Sequence, residues 1–289
     1  MPLACLLFIP TLSPWWLNKC KPHLDLAVID LCSAVEYAES HIPGSFSLPF
    51  EPISAWSQMG PGDLLLEMSP SPNIFATLTS ISVSNPNPAT KIVLVNGVGV
   101  PAFPQVPPPG GVATALKHAG IAEGCIYALD GGFPGWTRNN LPTTTTLPTP
   151  VPRTYTATED RSFLVNISYV AANLDKKDQG IFLADGREET VYNGSVLEEW
   201  ALKPGHIPSA VSLPARHIWA ANGSWRRFLE LLAVGYGASC SSGRLIVCCG
   251  VGGYASSWYF VLTRILGFDN VVMYDGSAQE WSQYCDMEL

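Results

Sequence analysis

Positive charge is scarce in this chain. Lys and Arg number 16 against 24 Asp and Glu, a formal net charge of −8, and no dense basic stripe is present to neutralise a phosphate backbone, which excludes nucleic acid as the expected partner. No uninterrupted apolar run reaches the roughly 18 residues of a membrane span, so no membrane partner is expected either. The opening MPLACLLFIP is apolar but lacks a positive n-region, and it does not read as a secretory signal. The cytoplasm is the expected compartment, with the mitochondrion as the alternative. Eight cysteines are scattered along the chain, yet Cys-x-x-Cys spacing is absent. A structural zinc centre is therefore not expected, no metal site is assigned, and most of the thiols read as small buried hydrophobes.

What the sequence has in quantity is apolar mass. With 289 residues, 47% hydrophobic and 14% charged, it can fill either two ordinary domains or one large one. Internal similarity decides for two. HIPGSFSLP (His41 to Pro49) returns as HIPSAVSLP (His206 to Pro214), identical at six of nine positions. IYALDGGFPGW (Ile126 to Trp136) returns as VVMYDGSAQEW (Val271 to Trp281), each a β-rich run, an Asp-Gly turn and an aromatic anchor. Each half also opens alike, with LAVIDLCSAVEY and GIFLADGREETVY before the two His-Ile-Pro segments.

The duplication divides the chain into a domain at 1–140, a Thr/Pro-rich connector at 141–157 and a domain at 158–289. The first copy is the longer by about twenty residues, placed within SPSPNIFATLTSISVSNPNPAT and VPAFPQVPPPGG. LAVID, KIVLVN and CIYAL in the first copy, with IFLAD, RLIVCC and NVVMYD in the second, are continuous apolar runs of the kind buried on both faces of a parallel sheet. Helical stretches such as GVATALKHAG and YASSWYFVLTRILG lie between them, each closed by glycine. The expected fold is α/β, two copies of a mainly parallel sheet flanked by helices.

The stretch LIVCCGVGGYASSWYF carries the chemistry. Gly250, Gly252 and Ala255 fit the dinucleotide pattern G-x-G-x-x-A, and Asp275 stands where a ribose-binding acid would. That pattern belongs early in its fold, however, and here few residues follow Asp275, so no nucleotide cofactor is expected. The other reading starts from Cys249, the last residue of its strand, at the carboxyl end where open parallel sheets bind ligands. If the amides of Gly250, Val251, Gly252, Gly253 and Tyr254 turn inward around it, a thiolate gains their hydrogen bonds and the positive end of the following helix. Both effects lower a thiol pKa, and a reactive cysteine is expected. Cys248, one step back, points to the opposite face and reads as core.

The twin copies, the HIPxxxxLP element in each, the closing YDGSAQEW and the cysteine loop together make the chain similar to the two-domain rhodaneses, the thiosulfate and 3-mercaptopyruvate sulfurtransferases. The resemblance runs from about Leu12 to Trp281. It implies that Cys249 takes a sulfane sulfur from a small donor, becomes a persulfide, and passes the sulfur to a thiol or cyanide-like acceptor or to a protein acceptor. It implies no cofactor. The matching loop of the first copy, VLVNGVGVP, has Asn96 at the cysteine position, which implies an inactive copy serving as scaffold.

Arg187, two residues after Asp185, resembles the family arginine that grips a donor's anionic end; a salt bridge to Asp185 or Glu188 is the competing reading. With Gly250 to Tyr254 it completes the expected substrate-binding set. Arg216 or Arg226 is the candidate helper for binding a donor's carboxylate. Asp30 and Asp185 read as turn caps, and His41 and His206, found in both copies, read as structural. The uncharged loop CGVGGY leans away from a dianionic donor, and it leaves two alternatives open: a sulfur carrier that docks on a partner, or the fold recruited for other cysteine chemistry. A phosphatase is disfavoured, since no arginine closes the loop.

Overall fold

A computed structural model describes residues 11–20, 26–51, 53–83, 90–97, 109–151, 153–220 and 243–289. In chain order the strands are β1 (Thr11–Leu12), β2 (Leu26–Asp30), β3 (Phe46–Ser47), β4 (Ser57–Gln58), β5 (Glu67–Met68), β6 (Lys91–Val95) and β7 (Ile126–Leu129). They are followed by β8 (Leu164–Val165), β9 (Ile181–Asp185), β10 (Val211–Ser212), β11 (Arg244–Cys248) and β12 (Val271–Tyr274). The chain forms two compact units, the first containing residues 11–56 and 69–160, the second 57–68, 161–219 and 243–289.

The first unit is built on a parallel sheet of order β1-β7-β6-β2-β3. In the central strand, Ile92, Val93, Leu94 and Val95 are all fully buried, alternate side chains facing opposite layers. This is why the run is continuously apolar rather than alternating. Leu17, Val28, Val93, Tyr127 and Trp136 form one side of the core. Asn96 follows β6, where the sequence placed it, and is buried.

The second unit repeats the plan strand for strand, in the parallel order β10-β9-β11-β12-β8. The equivalence extends to small details. His41 pairs by an antiparallel bridge with Thr144, and His206 with Glu288; each ring stacks on a tyrosine, Tyr37 or Tyr192, at 3.8 Å between centroids. Trp136 donates its indole N–H to the Pro142 carbonyl at 2.8 Å and Trp281 to that of Asp286 at 2.9 Å. The recurring histidines and tryptophans thus staple each unit's last segment to its body.

Two features add to the sequence reading. The connector, described at 141–151 and 153–157, is bonded to the first unit. Thr144 bonds to His41, Val151 N–H donates to Ser82 Oγ at 2.7 Å, and the buried Tyr155 donates its hydroxyl to the Ala119 carbonyl at 2.7 Å. It is laid along the first unit because its Pro and Thr residues leave backbone groups that the unit's surface satisfies. The antiparallel hairpin β4–β5, assigned above to the first domain, belongs to the second compact unit. The side-chain amide of Gln279 bonds both the N–H and the carbonyl of Leu65, at 2.8 and 2.7 Å, and Asp275 Oδ2 accepts Met68 N–H at 3.0 Å. Of the first copy's extra residues, helix Ser71–Ser80 is formed by part, while 84–89 and 98–108 lie outside the described residues.

Candidate active site

The C-terminal edge of the second sheet positions the candidate groups. Cys248 pairs with Asp185 across β11 and β9, so Cys249 leaves the sheet immediately beside the turn that starts at Asp185. Gly250, Val251 and Gly252 carry the chain to helix Gly253–Phe260, with Gly252 at φ 86° in the left-handed region that glycine tolerates. A methyl group on Gly250 would lie 2.8 Å from both Glu198 Oε2 and Trp200 Nε1. Close approach, rather than conformation, therefore demands glycine at 250.

Hydrogen bonding from the backbone N–H groups of Val251 and Ala255 favours the charged form of the Cys249 sulfur. One of these donors lies within the predicted span 250–254 and one just beyond it. The thiol itself departs from expectation. Cys249 is fully buried, and burial pushes its pKa up to about 11 against the pull of the two amides, helped upward by Asp185 and Glu198. The lowered pKa expected above is therefore corrected: loop dipoles are present, but loss of water and two neighbouring carboxylates outweigh them. Cys248 is buried as well, and its S–H donates to the Ala184 carbonyl at 3.4 Å.

Behind the sulfur stands Ser277. Its Oγ accepts the Cys249 N–H at 3.1 Å, donates to the Tyr274 carbonyl at 2.9 Å and lies 4.0 Å from Cys249 Sγ. The Cys249 and Gly250 carbonyls accept the N–H groups of Ala278 and Gln279 at 2.9 and 3.0 Å, pinning the loop to helix Ser277–Tyr284. Tyr254 is partly buried, its pKa raised to about 12 by burial first and then by Cys249, Glu198 and Glu188. Gly253 has open space around it.

Arg187 does not present an open fork. Its guanidinium is 1% exposed. Nε sits 3.0 Å from both Asp185 oxygens, Nη2 donates to Asp185 Oδ2 at 2.6 Å and to the Gly205 carbonyl at 2.8 Å, and Nη1 faces Glu198 Oε2 at 3.5 Å. The salt-bridge reading describes it, with Glu198 in place of the expected Glu188. A donor's anionic end would have to compete with Glu198 for Nη1. Arg216 is also engaged, by Glu188 and Glu189, and Arg226 lies outside the described residues. Among the described residues no cluster of three or more His, Cys, Asp or Glu is arranged to hold a metal ion, and no helix is long and apolar enough to cross a membrane.

Glu198 and Trp200 were missed in the sequence. Their signal is a difference between the copies: Tyr37 and His41 are four positions apart, whereas Tyr192 and His206 are fourteen. The longer segment of the second copy brings this acid and this indole over Gly250.

At the matched positions described in both copies, the first copy carries other side chains. Asp30 Oδ1 accepts Cys32 N–H at 3.0 Å as Asp185 Oδ1 accepts Arg187 N–H, so both aspartates cap their turns. Cys32 stands where the second copy has Arg187, Asn96 where it has Cys249, and Gly132 where it has Ser277.

Residues 15–139 and 166–284 each match the family model described as Rhodanese-like domain. A putative thiosulfate sulfurtransferase of Synechococcus elongatus is 26% identical over 282 residues, covering 93% of this chain and 82% of that protein. Among solved structures, the crystal structure of YnjE superposes with a TM-score of 0.76 at 20% identity, over 97% of this chain and 69% of that one. The anaerobic ergothioneine biosynthesis enzyme from Chlorobium limicola, in complex with trimethyl histidine, gives a TM-score of 0.74 at 19% identity, over 95% and 68%. These two structural likenesses concern the fold.

Proposed function

The chain belongs to the rhodanese family, of which it carries two domains, and with curated relatives that are sulfurtransferases as premise, we propose that its second copy moves a sulfane sulfur from thiosulfate or 3-mercaptopyruvate to a thiol or cyanide-like acceptor through a Cys249 persulfide. The observation that carries this reading is the place of Cys249, one residue past the carboxyl end of parallel strand β11, where the backbone amides of Val251 and Ala255 favour a charged sulfur. In the first copy the same backbone position holds Asn96, which has no sulfur to load.

With thiosulfate, the Cys249 thiolate attacks the outer sulfur, the sulfur–sulfur bond breaks, and sulfite leaves with the electron pair. The persulfide keeps its negative charge under the loop amides, which cost no reorganisation as charge moves between the two sulfurs. Reaching the thiolate is the costly part, because burial holds the resting thiol at about 11. Arg187 acts as a positioning residue: it holds Asp185 and the Gly205 backbone, and it faces Glu198. Tyr254 and Gly250 to Gly253 shape the space that the donor enters.

The burial of Cys249 favours one second reading, a sulfur carrier whose persulfide is unloaded onto a dedicated protein. Steady-state release of thiocyanate, with thiosulfate or 3-mercaptopyruvate as donor and cyanide as acceptor, separates the two. Multiple turnovers by the wild type and none by Cys249→Ser support the enzyme; a single turnover supports the carrier; turnover retained in Cys249→Ser removes both.

A further inference from the structure

We propose that Glu198 sets the charge class of the sulfur acceptor, favouring thiols that are neutral or cationic near the reacting sulfur over anionic ones. The inference rests on the reading of Cys249 as a sulfur-transfer residue and deepens it.

The charge balance around the loop leads there. Gly250 to Tyr254 carry no charge. Arg187 is cancelled by Asp185, which takes three of its bonds at 2.6 to 3.0 Å. With one cation against two carboxylates, Glu198 leaves a net negative charge here when ionised, although burial raises its pKa against the hydrogen bonds it takes from Arg187 and Trp200. Its Oε2 touches Arg187 only at 3.5 Å, its side chain keeps 13% exposure, and it packs where a Gly250 side chain would be. Its field reaches the reacting sulfur: Glu198 raises the pKa of both Cys249 and Tyr254. Arg216 is held by Glu188 and Glu189, and Lys203 by Asp286. The segment bearing Glu198 and Trp200 is the one the second copy lengthened, and the Trp200 indole N–H bonds the Glu198 carboxylate and so favours its charged form.

In the step concerned, the acceptor thiol gives its proton to solvent and its sulfur attacks the outer sulfur of the persulfide. The sulfur–sulfur bond breaks with its electron pair on Cys249 Sγ, and the sulfane sulfur leaves as the acceptor's own persulfide. An acceptor with a second negative charge approaches Glu198 against repulsion that one with an ammonium group does not meet.

The test uses the full chain loaded with thiosulfate or, in parallel, 3-mercaptopyruvate, freed of donor, and unloaded in single turnovers by three thiols of one skeleton: cysteamine, 2-mercaptoethanol and 2-mercaptoethanesulfonate. Taking the cysteamine-to-sulfonate rate ratio in wild type over that in Glu198→Gln removes the intrinsic reactivity of each thiol. We expect this double ratio to be about ten, equivalent to about 1.4 kcal/mol, with Glu198→Asp retaining the wild-type preference. A double ratio near one in proteins that load normally overturns this inference alone. Failure of both donors to load Cys249 overturns the sulfur-transfer reading and this inference with it.

Discussion

Ser277 and Gly132 occupy the same strained place in the two copies: Ser277 has φ 53° and Gly132 has φ 55°, and the residue after each donates its N–H to the carbonyl of the loop residue opposite, Cys249 or Asn96. Only glycine adopts this left-handed conformation without cost. The first copy has glycine; the second keeps a serine, whose hydroxyl accepts the Cys249 N–H and donates to the Tyr274 carbonyl. Ser277→Gly should therefore come close to wild-type stability, because relief of roughly 1 kcal/mol of backbone strain offsets the lost hydrogen bonds. Ser277→Ala keeps the strain and loses the bonds, so it should be less stable by about 1 to 3 kcal/mol. Urea unfolding measures both, and equal stabilities for the two variants would contradict this account of Ser277.

Arg187 should behave as part of the scaffold. Replacing it with Met leaves Asp185 buried without its partner, and removal of one member of a buried pair costs about 3 to 5 kcal/mol. The variant should unfold at markedly lower urea concentration. A variant of unchanged stability whose only defect is a raised KM for donor would instead assign Arg187 to direct donor binding.

Stability should fall as the solution becomes alkaline. Glu67, on the β4–β5 hairpin, is pushed up to about 8 by burial, then by Asp275 and Glu280, and Asp275 is pushed up to about 6 by burial. The Glu67 Oε1 atom is buried without a hydrogen-bond partner. Both folded values exceed the unfolded ones of 4.5 and 3.8, so the folded state binds more protons. The stabilisation is complete below the unfolded values and is lost as pH rises through about 6 for Asp275 and about 8 for Glu67. The urea midpoint should decline between pH 5 and pH 9, and Glu67→Gln should flatten the upper half of that decline. A flat profile for the wild type, or one that Glu67→Gln leaves unchanged, would refute this.

The central strands could be read from sequence because four consecutive buried residues, such as Ile92 to Val95, need an apolar side chain on both faces. Repetition made the topology legible, since each landmark appears twice in a fixed order. Although the strand itself ends at Cys248, the loop's position was legible from the apolar run into Cys248 and Cys249 before Gly250, Gly252 and Gly253. Its electrostatics were not, because the thiol pKa depends on complete burial and on Glu198, fifty-one positions away in the chain. Arg187 was left with two readings for the same reason: its spacing from Asp185 permits both an ion pair and an open fork, and only the packing shows the ion pair with Asp185 and the bond to the Gly205 carbonyl. The hairpin β4–β5 likewise shows no pattern that would bring it to Asp275 and Gln279.

The central claim is that sulfur resides on Cys249, and peptide mass spectrometry after incubation with thiosulfate or 3-mercaptopyruvate tests it most directly. The account predicts one added sulfur on the peptide containing Cys249 in the wild type and in Cys248→Ser, and none on that peptide in Cys249→Ser. An added sulfur that persists in Cys249→Ser, or that appears in the wild type only on another cysteine, would contradict it.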